Sequence, residues 1–311
     1  GMMITKRIID EKGIDQTEDT VLVLGYFDGL HKGHQALFEK AREIAAEQGL
    51  KIAVMTFPES PKLAFVRYQP ELMLHLASPE DRMAQLESLG VDYLYLIDFT
   101  SHFAGNTARD FFEKYVSRLR AKAVVAGFDY HFGSDRKESH ELRDYFNGKI
   151  VIVPSVNLDN RKISSTRIRE TIVAGDMLKT QELLGYPLST RGIVVHGNAR
   201  GRTIGYPTAN LAPLDRVHLP GDGVYVADVE HNGQRYRGMA SVGKNVTFDG
   251  DELRFEVNIF DFSQDIYGDT IRIFWLDKIR EMVKFEGIDS LVAQLQSDER
   301  IARSWTGYRN S

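Results

Sequence analysis

The chain is predicted to hold two architectures in series. The first half reads as a doubly wound parallel α/β sheet, the second as a small antiparallel, Greek-key-like β-barrel followed by a C-terminal helix. Short β-branched runs alternate with amphipathic helical stretches up to Val153, which is the pattern of βαβ units. Beyond Gly185 the apolar period shortens to every second residue, with Gly, Asn and Asp turns between segments, as in barrels. The 311 residues also match two domains at roughly 150 residues each. A polar-apolar helical segment ending in Gly185-Tyr186-Pro187 is a stop signal, so the boundary is expected at 184/185.

The apolar run Val21–Leu24 predicts the first buried strand. Gly25 and Gly29 turn the chain, and from Lys32 a helical period begins, with Leu37, Ala41, Ile44 and Ala45 on one face. Lys51–Phe57 closes the first βαβ unit. A long irregular stretch, Pro58–Ala77, is the kind of loop that is functional or mobile. Ser78-Pro79 starts a helix with Ser as N-cap and Asp81 three residues on. Val91–Phe99 is a strand, and Thr107 with Asp110 caps the next helix. Ala121–Gly127 and Lys149–Val153 complete five expected strands, with a short helix near Ser139–Phe146 between them. In the second half, Arg191–Gly197, Gly223–Glu230, Gln234–Val242, Leu253–Phe262 and Thr270–Leu276 are short strands of a five- or six-stranded barrel. His231-Asn232-Gly233-Gln234 and Phe248-Asp249-Gly250-Asp251 are hairpin signals, and a helix is expected around Ser290–Gln296.

Composition narrows the function classes. A hydrophobic content of 42% with 27% charged residues describes an ordinary globular chain. The net charge of −5 argues against a nucleic-acid partner. Zero cysteines exclude disulfides and thiolate chemistry and fit a reducing cytoplasm. No apolar run approaches the ~18 residues of a membrane span, and the N-terminal GMMITKRIID lacks an apolar signal core.

Three stretches carry chemistry. In Gly25-Tyr26-Phe27-Asp28-Gly29-Leu30-His31-Lys32-Gly33-His34, two imidazoles three residues apart stand where a strand ends and a helix begins. Free N–H groups and the positive dipole end there suit phosphate. A metal pair or two solvated cap histidines would leave the same pattern. In Ile163-Ser164-Ser165-Thr166-Arg167-Ile168-Arg169, hydroxyls can cap the following helix, and with Arg167 they can also cradle an anion. Gly201-Arg202-Thr203-Ile204-Gly205-Tyr206-Pro207-Thr208-Ala209-Asn210 is glycine-rich and basic. It is no Walker A loop, and GxxxxGK[ST] occurs nowhere in the chain.

These motifs resemble, in order, the GxFDGxHxGH and ISSTxIR signatures of the adenylyltransferase module of bacterial bifunctional riboflavin kinase/FAD synthetases, and the GRxxGxPTAN signature of their kinase module. The resemblance spans about residues 20 to 305. It implies ATP-dependent phosphorylation of riboflavin to FMN, then AMP transfer from ATP to FMN, giving FAD and pyrophosphate. For the adenylyltransferase it implies His31 and His34 as catalytic phosphate holders. Gly25, Phe27, Asp28, Ser165, Thr166 and Arg167 would bind nucleotide, and Phe57 and Asp129 would lie on the flavin side. For the kinase it implies Gly201, Arg202, Gly205, Thr208 and Asn210 at the nucleotide, with Thr208 and Asn210 also holding Mg²⁺. Glu256, in a strand similar to LEVHLxDF, would be the general base. Tyr267, in Asp265-Ile266-Tyr267-Gly268, and Arg280, in Lys278-Ile279-Arg280-Glu281, would meet the flavin.

The chain departs from the family pattern at Thr56–Pro61, at Phe128–Tyr130, at Asn258 (commonly His) and at Gly243–Thr247. The expected partners are riboflavin, FMN and ATP, with no nucleic acid or membrane, in a cytoplasmic monomer or weak homo-oligomer. Three rivals remain at this level. They are a riboflavin kinase with a degenerate adenylyltransferase domain, a flavin-sensing regulator, and an unrelated nucleotidyltransferase, although the last has no reason to carry GRTIGYPTAN.

Overall fold

The computed structural model describes residues 2–197, 205–247 and 250–307. It divides into two compact units, Gly1–Ser165 and Thr166–Ser311.

The first unit contains β1 (Ile4–Ile8), β2 (Thr20–Leu24), α1 (Lys32–Gln48), β3 (Lys51–Thr56), α2 (Pro79–Ser88), β4 (Tyr93–Ile97), α3 (Ser101–Ala104), α4 (Ala108–Lys114) and β5 (Ala121–Gly127). After these come the pairs β6 (His131–Phe132) and β7 (Lys137–Glu138), then β8 (Lys149–Val153), and β9 (Asn157–Leu158) with β10 (Arg161–Lys162). The main sheet runs β1-β4-β3-β2-β5-β8, and every pairing in it is parallel. Five strands were expected and six are present. The additional one, β1, is a largely exposed edge strand whose Ile-Thr-Lys-Arg-Ile sequence lacks the apolar run of a buried strand. The expected helix near Ser139 is a 3₁₀ turn over Ser139–Asp144.

Strand β2 lies in the middle of the sheet and is buried throughout. Its alternation feeds two cores. Val21 and Val23 pack with Phe38, Ala41 and Ile44 of α1 and Leu86 of α2. Leu22 and Leu24 pack on the other face with Phe111, Phe112 and Tyr115. Sheet residues buried on both faces give the near-continuous apolar runs seen in the sequence.

The second unit opens with α5 (Ser165–Ala174) and α6 (Met177–Leu184), the latter ended by Gly185 at φ 90°. Then follow β11 (Leu188–Val195), β12 (Ala209–Pro213), β13 (Gly223–His231), β14 (Gln234–Thr247), β15 (Gly250–Ile259), β16 (Thr270–Arg280) and α7 (Ile288–Ser304). The strands close a barrel in the order β11-β12-β15-β14-β13-β16, all antiparallel. Strand β12 was not anticipated; it starts on Ala209 and Asn210, the last two residues of the glycine-rich motif, and runs on to Pro213. The hairpin at Asn232-Gly233 has φ 49° and 78°, as a type I′ turn requires. Tyr225, Phe255 and Trp275 fill the interior, and Trp275 Nε1 donates to Thr190 Oγ1 at 3.0 Å. Helix α7, longer than expected, packs Ala302 against Val226, Met239, Phe260 and Leu276. Gly201 and Arg202, and the Phe248-Asp249 part of the second hairpin signal, lie outside the described residues.

Candidate active sites

In the first unit the Gly25–His34 loop leaves the carboxyl end of β2, where ligands bind in open parallel sheets. His31 is the N-cap of α1 and its Nδ1 accepts the backbone N–H of His34 at 3.3 Å. A neutral His31 therefore carries its proton on Nε2, which is free to donate to an anion. The His34 ring stacks on His31 with centroids 3.7 Å apart and stands edge-on to Phe27 at 5.2 Å. Gly33 makes this stack possible, because a Cβ there would lie 2.9 Å from His31 Cε1. Burial, with Lys162 nearby, pushes His31 down to about 4. Burial, then the His31 and Arg82 charges, hold His34 well below the usual imidazole range. His34 Nδ1 is buried without a hydrogen-bond partner.

The rest of the loop is held from outside it. Asp28 is buried and accepts the Leu76 N–H at 2.9 Å. Gly29 has φ 74°, and a Cβ there would lie 2.6 Å from Leu76 Cβ. Phe57 meets Phe99 and Phe103 edge-on at 5.0 and 5.4 Å. A cavity of about 260 Å³ opens beside this aromatic cluster, lined in part by Arg7, Pro58, Glu59 and Phe99. Asp129 is exposed and ion-paired to Lys162. Of the second motif, Ser165 ends the first unit, while Thr166 is exposed and Arg167 buried in the second.

In the second unit, Thr208, Asn210, Glu256 and Arg280 line one cavity of about 600 Å³. Asn210 pairs with Glu256 across β12 and β15, so the two side chains emerge on the same face. Phe255 and Val257 are buried in the barrel, whereas Glu256 is partly open and receives Arg254 Nε at 3.0 Å. Gly205 is exposed at φ 83°. Tyr267 is exposed and stacks at 3.7 Å on His196, a lining residue.

Three features of this cavity escaped sequence reasoning. Gly197 must lack a side chain, since a Cβ would meet Asn210 Cγ at 2.2 Å. Arg280 is gripped by Asp298 of α7, with Nε 3.0 Å from both carboxylate oxygens and Asp298 itself fully buried. The next residue, Glu299, accepts the Tyr206 hydroxyl at 3.0 Å. An acid between Leu295 and Ala302 on the inward stripe of α7, where Gln294 one turn earlier also donates to it at 2.9 Å, is the one signal that could have flagged Asp298.

An α/β unit with an anion-ready helix start and a barrel cavity walled by hydroxyl, amide, carboxylate and guanidinium groups together describe a two-domain transferase acting on polyphosphate. The comparisons with known proteins make that specific. The family model for FAD synthetase matches residues 13–167 and that for riboflavin kinase residues 184–306. A bifunctional riboflavin kinase/FMN adenylyltransferase from Listeria monocytogenes is 39% identical over 92% of this chain and 92% of its own. The Bacillus subtilis enzyme of the same name is 38% identical over 93% of each. A crystal structure of a Streptococcus pneumoniae protein described as a macrolide-efflux protein matches with TM-score 0.95 at 57% identity, covering 98% of this chain and all of that one. The chain belongs to the bifunctional riboflavin kinase/FMN adenylyltransferase family, and it contains an FAD synthetase domain and a riboflavin kinase domain. Among the described residues no helix is long and apolar enough to cross a membrane.

Proposed function

We propose that the barrel unit phosphorylates riboflavin with ATP and that the α/β unit transfers AMP from ATP to FMN, with the catalytic modules divided at 184/185 and the protein working in the cytoplasm. The division is supported by the riboflavin kinase match, which begins at residue 184.

The observation that carries the kinase half is the convergence of Thr208, Asn210, Glu256 and Arg280 on one cavity. Glu256 takes the proton from the ribityl 5′-hydroxyl as that oxygen bonds to the γ-phosphorus of ATP and the bond to the β-phosphate oxygen breaks, releasing ADP. Arg280, fixed by Asp298, orients the flavin, with Tyr267 at the rim. The Thr208 hydroxyl and Asn210 amide oxygen are hard donors that suit Mg²⁺, and with Gly205 they serve the nucleotide, a role that the family resemblance extends to Gly201 and Arg202. Mg²⁺ would neutralise phosphate charge there.

In the adenylyltransferase half the nucleophile, the FMN phosphate, is already an anion. It bonds to the ATP α-phosphorus as the bond to the β-phosphate oxygen breaks, releasing pyrophosphate. No base is needed, so catalysis is alignment and charge neutralisation. The Nε2–H of His31 and the N-terminal N–H groups of α1 meet the phosphates. The unpartnered His34 Nδ1 supports a role for that ring in ligand binding, because a buried polar atom left unpaired is costly. Ser165, Thr166 and Arg167 bind the nucleotide from the second motif, with Phe57 and Asp129 toward the flavin.

Incubation with riboflavin, ATP and Mg²⁺, followed by chromatography, tests both halves. FMN should appear first and FAD after it. FMN without FAD sinks the adenylyltransferase assignment, and neither product sinks both.

A further inference from the structure

Helix α2 carries a buried cation that no motif contains. Arg82, 6% exposed, lies on the inward face one turn before Leu86. Its Nε donates to the Phe27 carbonyl at 2.6 Å, its Nη1 to the Phe57 carbonyl at 2.7 Å and its Nη2 to Thr56 Oγ1 at 2.8 Å. The guanidinium also lies 5.1 Å from the centre of the Tyr26 ring. All three hydrogen bonds go to neutral acceptors, while burial opposes the charged form and the nearby Asp28 and Glu59 carboxylates favour it.

The acceptors belong to two segments, both at the carboxyl edge of the sheet. Phe27 lies in the loop between β2 and α1, two residues before Gly29 and four before His31. Thr56 ends the adjacent strand β3, which is in parallel register with β2, and Phe57 follows it. A planar fork with fixed donor directions can hold two backbone segments at a set separation, which a flexible ammonium cannot.

We propose that Arg82 is a positioning residue for adenylyl transfer, latching the loop that carries the paired imidazoles to the segment after β3 that carries Phe57. This rests on reading His31 and His34 as the phosphate-holding site. The latch sets the distance between nucleotide phosphates on one side and the flavin's phosphate on the other. In-line displacement is sensitive to that distance, since a misplacement of about 1 Å costs on the order of 10²-fold.

The test uses the full-length protein and its own kinase activity as an internal control. In Arg82→Met, kcat for FAD formation from supplied FMN should fall about 10²-fold with a raised KM for ATP. Arg82→Lys, which keeps the charge but gathers its donors on a single nitrogen, should lie between Met and wild type, and riboflavin phosphorylation should be unchanged in both. Thr56→Val, which removes one acceptor and leaves the guanidinium, should lose about tenfold, again with a raised KM for ATP. A folded Arg82→Met protein with wild-type FAD kinetics overturns the proposal. So does a loss that follows the melted fraction, with KM for ATP unmoved and Lys no better than Met. Should Arg82→Met fail to fold, Thr56→Val decides. Wild-type kinetics there sink the latch, and a raised KM with a native melting curve upholds it. His31→Ala/His34→Ala run in parallel separates the two ideas. If that variant still makes FAD, the nucleotide-site reading fails, whatever Arg82 does.

Discussion

The two candidate sites handle the same kind of ligand with opposite constructions. The Gly25–His34 site is contiguous in sequence, and its imidazoles are held neutral by burial, with backbone N–H groups at the helix start supplying the positive field. The barrel cavity draws Thr208, Asn210, Glu256 and Arg280 from segments far apart in the sequence and mixes an acid with a cation. The difference follows from the chemistry proposed for each. Adenylyl transfer from a phosphate nucleophile needs no proton acceptor, so a site without a carboxylate among its phosphate-holding groups suffices. Phosphorylation of an alcohol must dispose of a proton, and the barrel site places the Glu256 carboxylate on the wall of its cavity.

The largest expected effect is a clean separation of the two activities. His31→Ala with His34→Ala should lower FAD synthesis by about 10³-fold or more while FMN formation survives. Glu256→Gln should cost the kinase roughly 10²- to 10⁴-fold with adenylylation of supplied FMN intact. Parallel loss of both activities in either variant, read from the two products by chromatography, would show that the sites are not independent.

Gly197→Ala comes next. The added methyl would collide with Asn210, and displacing that amide should cost the kinase on the order of 10²-fold in kcat. The same substitution should leave FAD formation from FMN untouched, and normal FMN production would remove Asn210 from the site.

A smaller effect is expected for Asp298→Asn, which keeps the shape but discharges the buried partner of Arg280. Steady-state kinetics should show KM for riboflavin up about tenfold with a lesser change in kcat, as for a group that orients substrate. A fall in kcat alone would argue that Arg280 acts on the phosphate instead.

The smallest effect is on acid stability. The folded pKa of His31, about 4, lies below its unfolded value of about 6.5. Between those values the unfolded chain holds more protons, so stability rises with pH across that window and is lost as pH falls from 6.5 toward 4. His31 would contribute roughly 3 kcal/mol in full, and His34 acts in the same direction. Melting of the first unit should therefore drop with pH in wild type and drop less in the double-alanine variant. Nucleotide binding should raise both imidazole pKa values, visible as proton uptake or in NMR titration.

Much of this was legible from local pattern. The caps at Ser78 and Thr107 accept from Asp81 and Asp110 N–H groups as their spacing implies, and β5 and β8 have the predicted bounds. What failed was equally specific. Strand β1 is held by one parallel neighbour rather than by its own apolar run, and β12 starts on the last two residues of a motif read for its chemistry. Arg82 belongs to no motif, although its place four residues before Leu86 puts it on the buried stripe.

Element order, the two hydrophobic periods and the signature strings are properties of neighbours along the chain, where propensity, capping and turn chemistry act within a few residues. Those settled the fold class and the family resemblance. The Arg82 latch, the Asp298 grip on Arg280 and the empty space that Gly197 leaves for Asn210 join residues separated by up to 55 positions. Such contacts have no local signature, because a side chain's partners are chosen by which surfaces meet when the strands and helices pack.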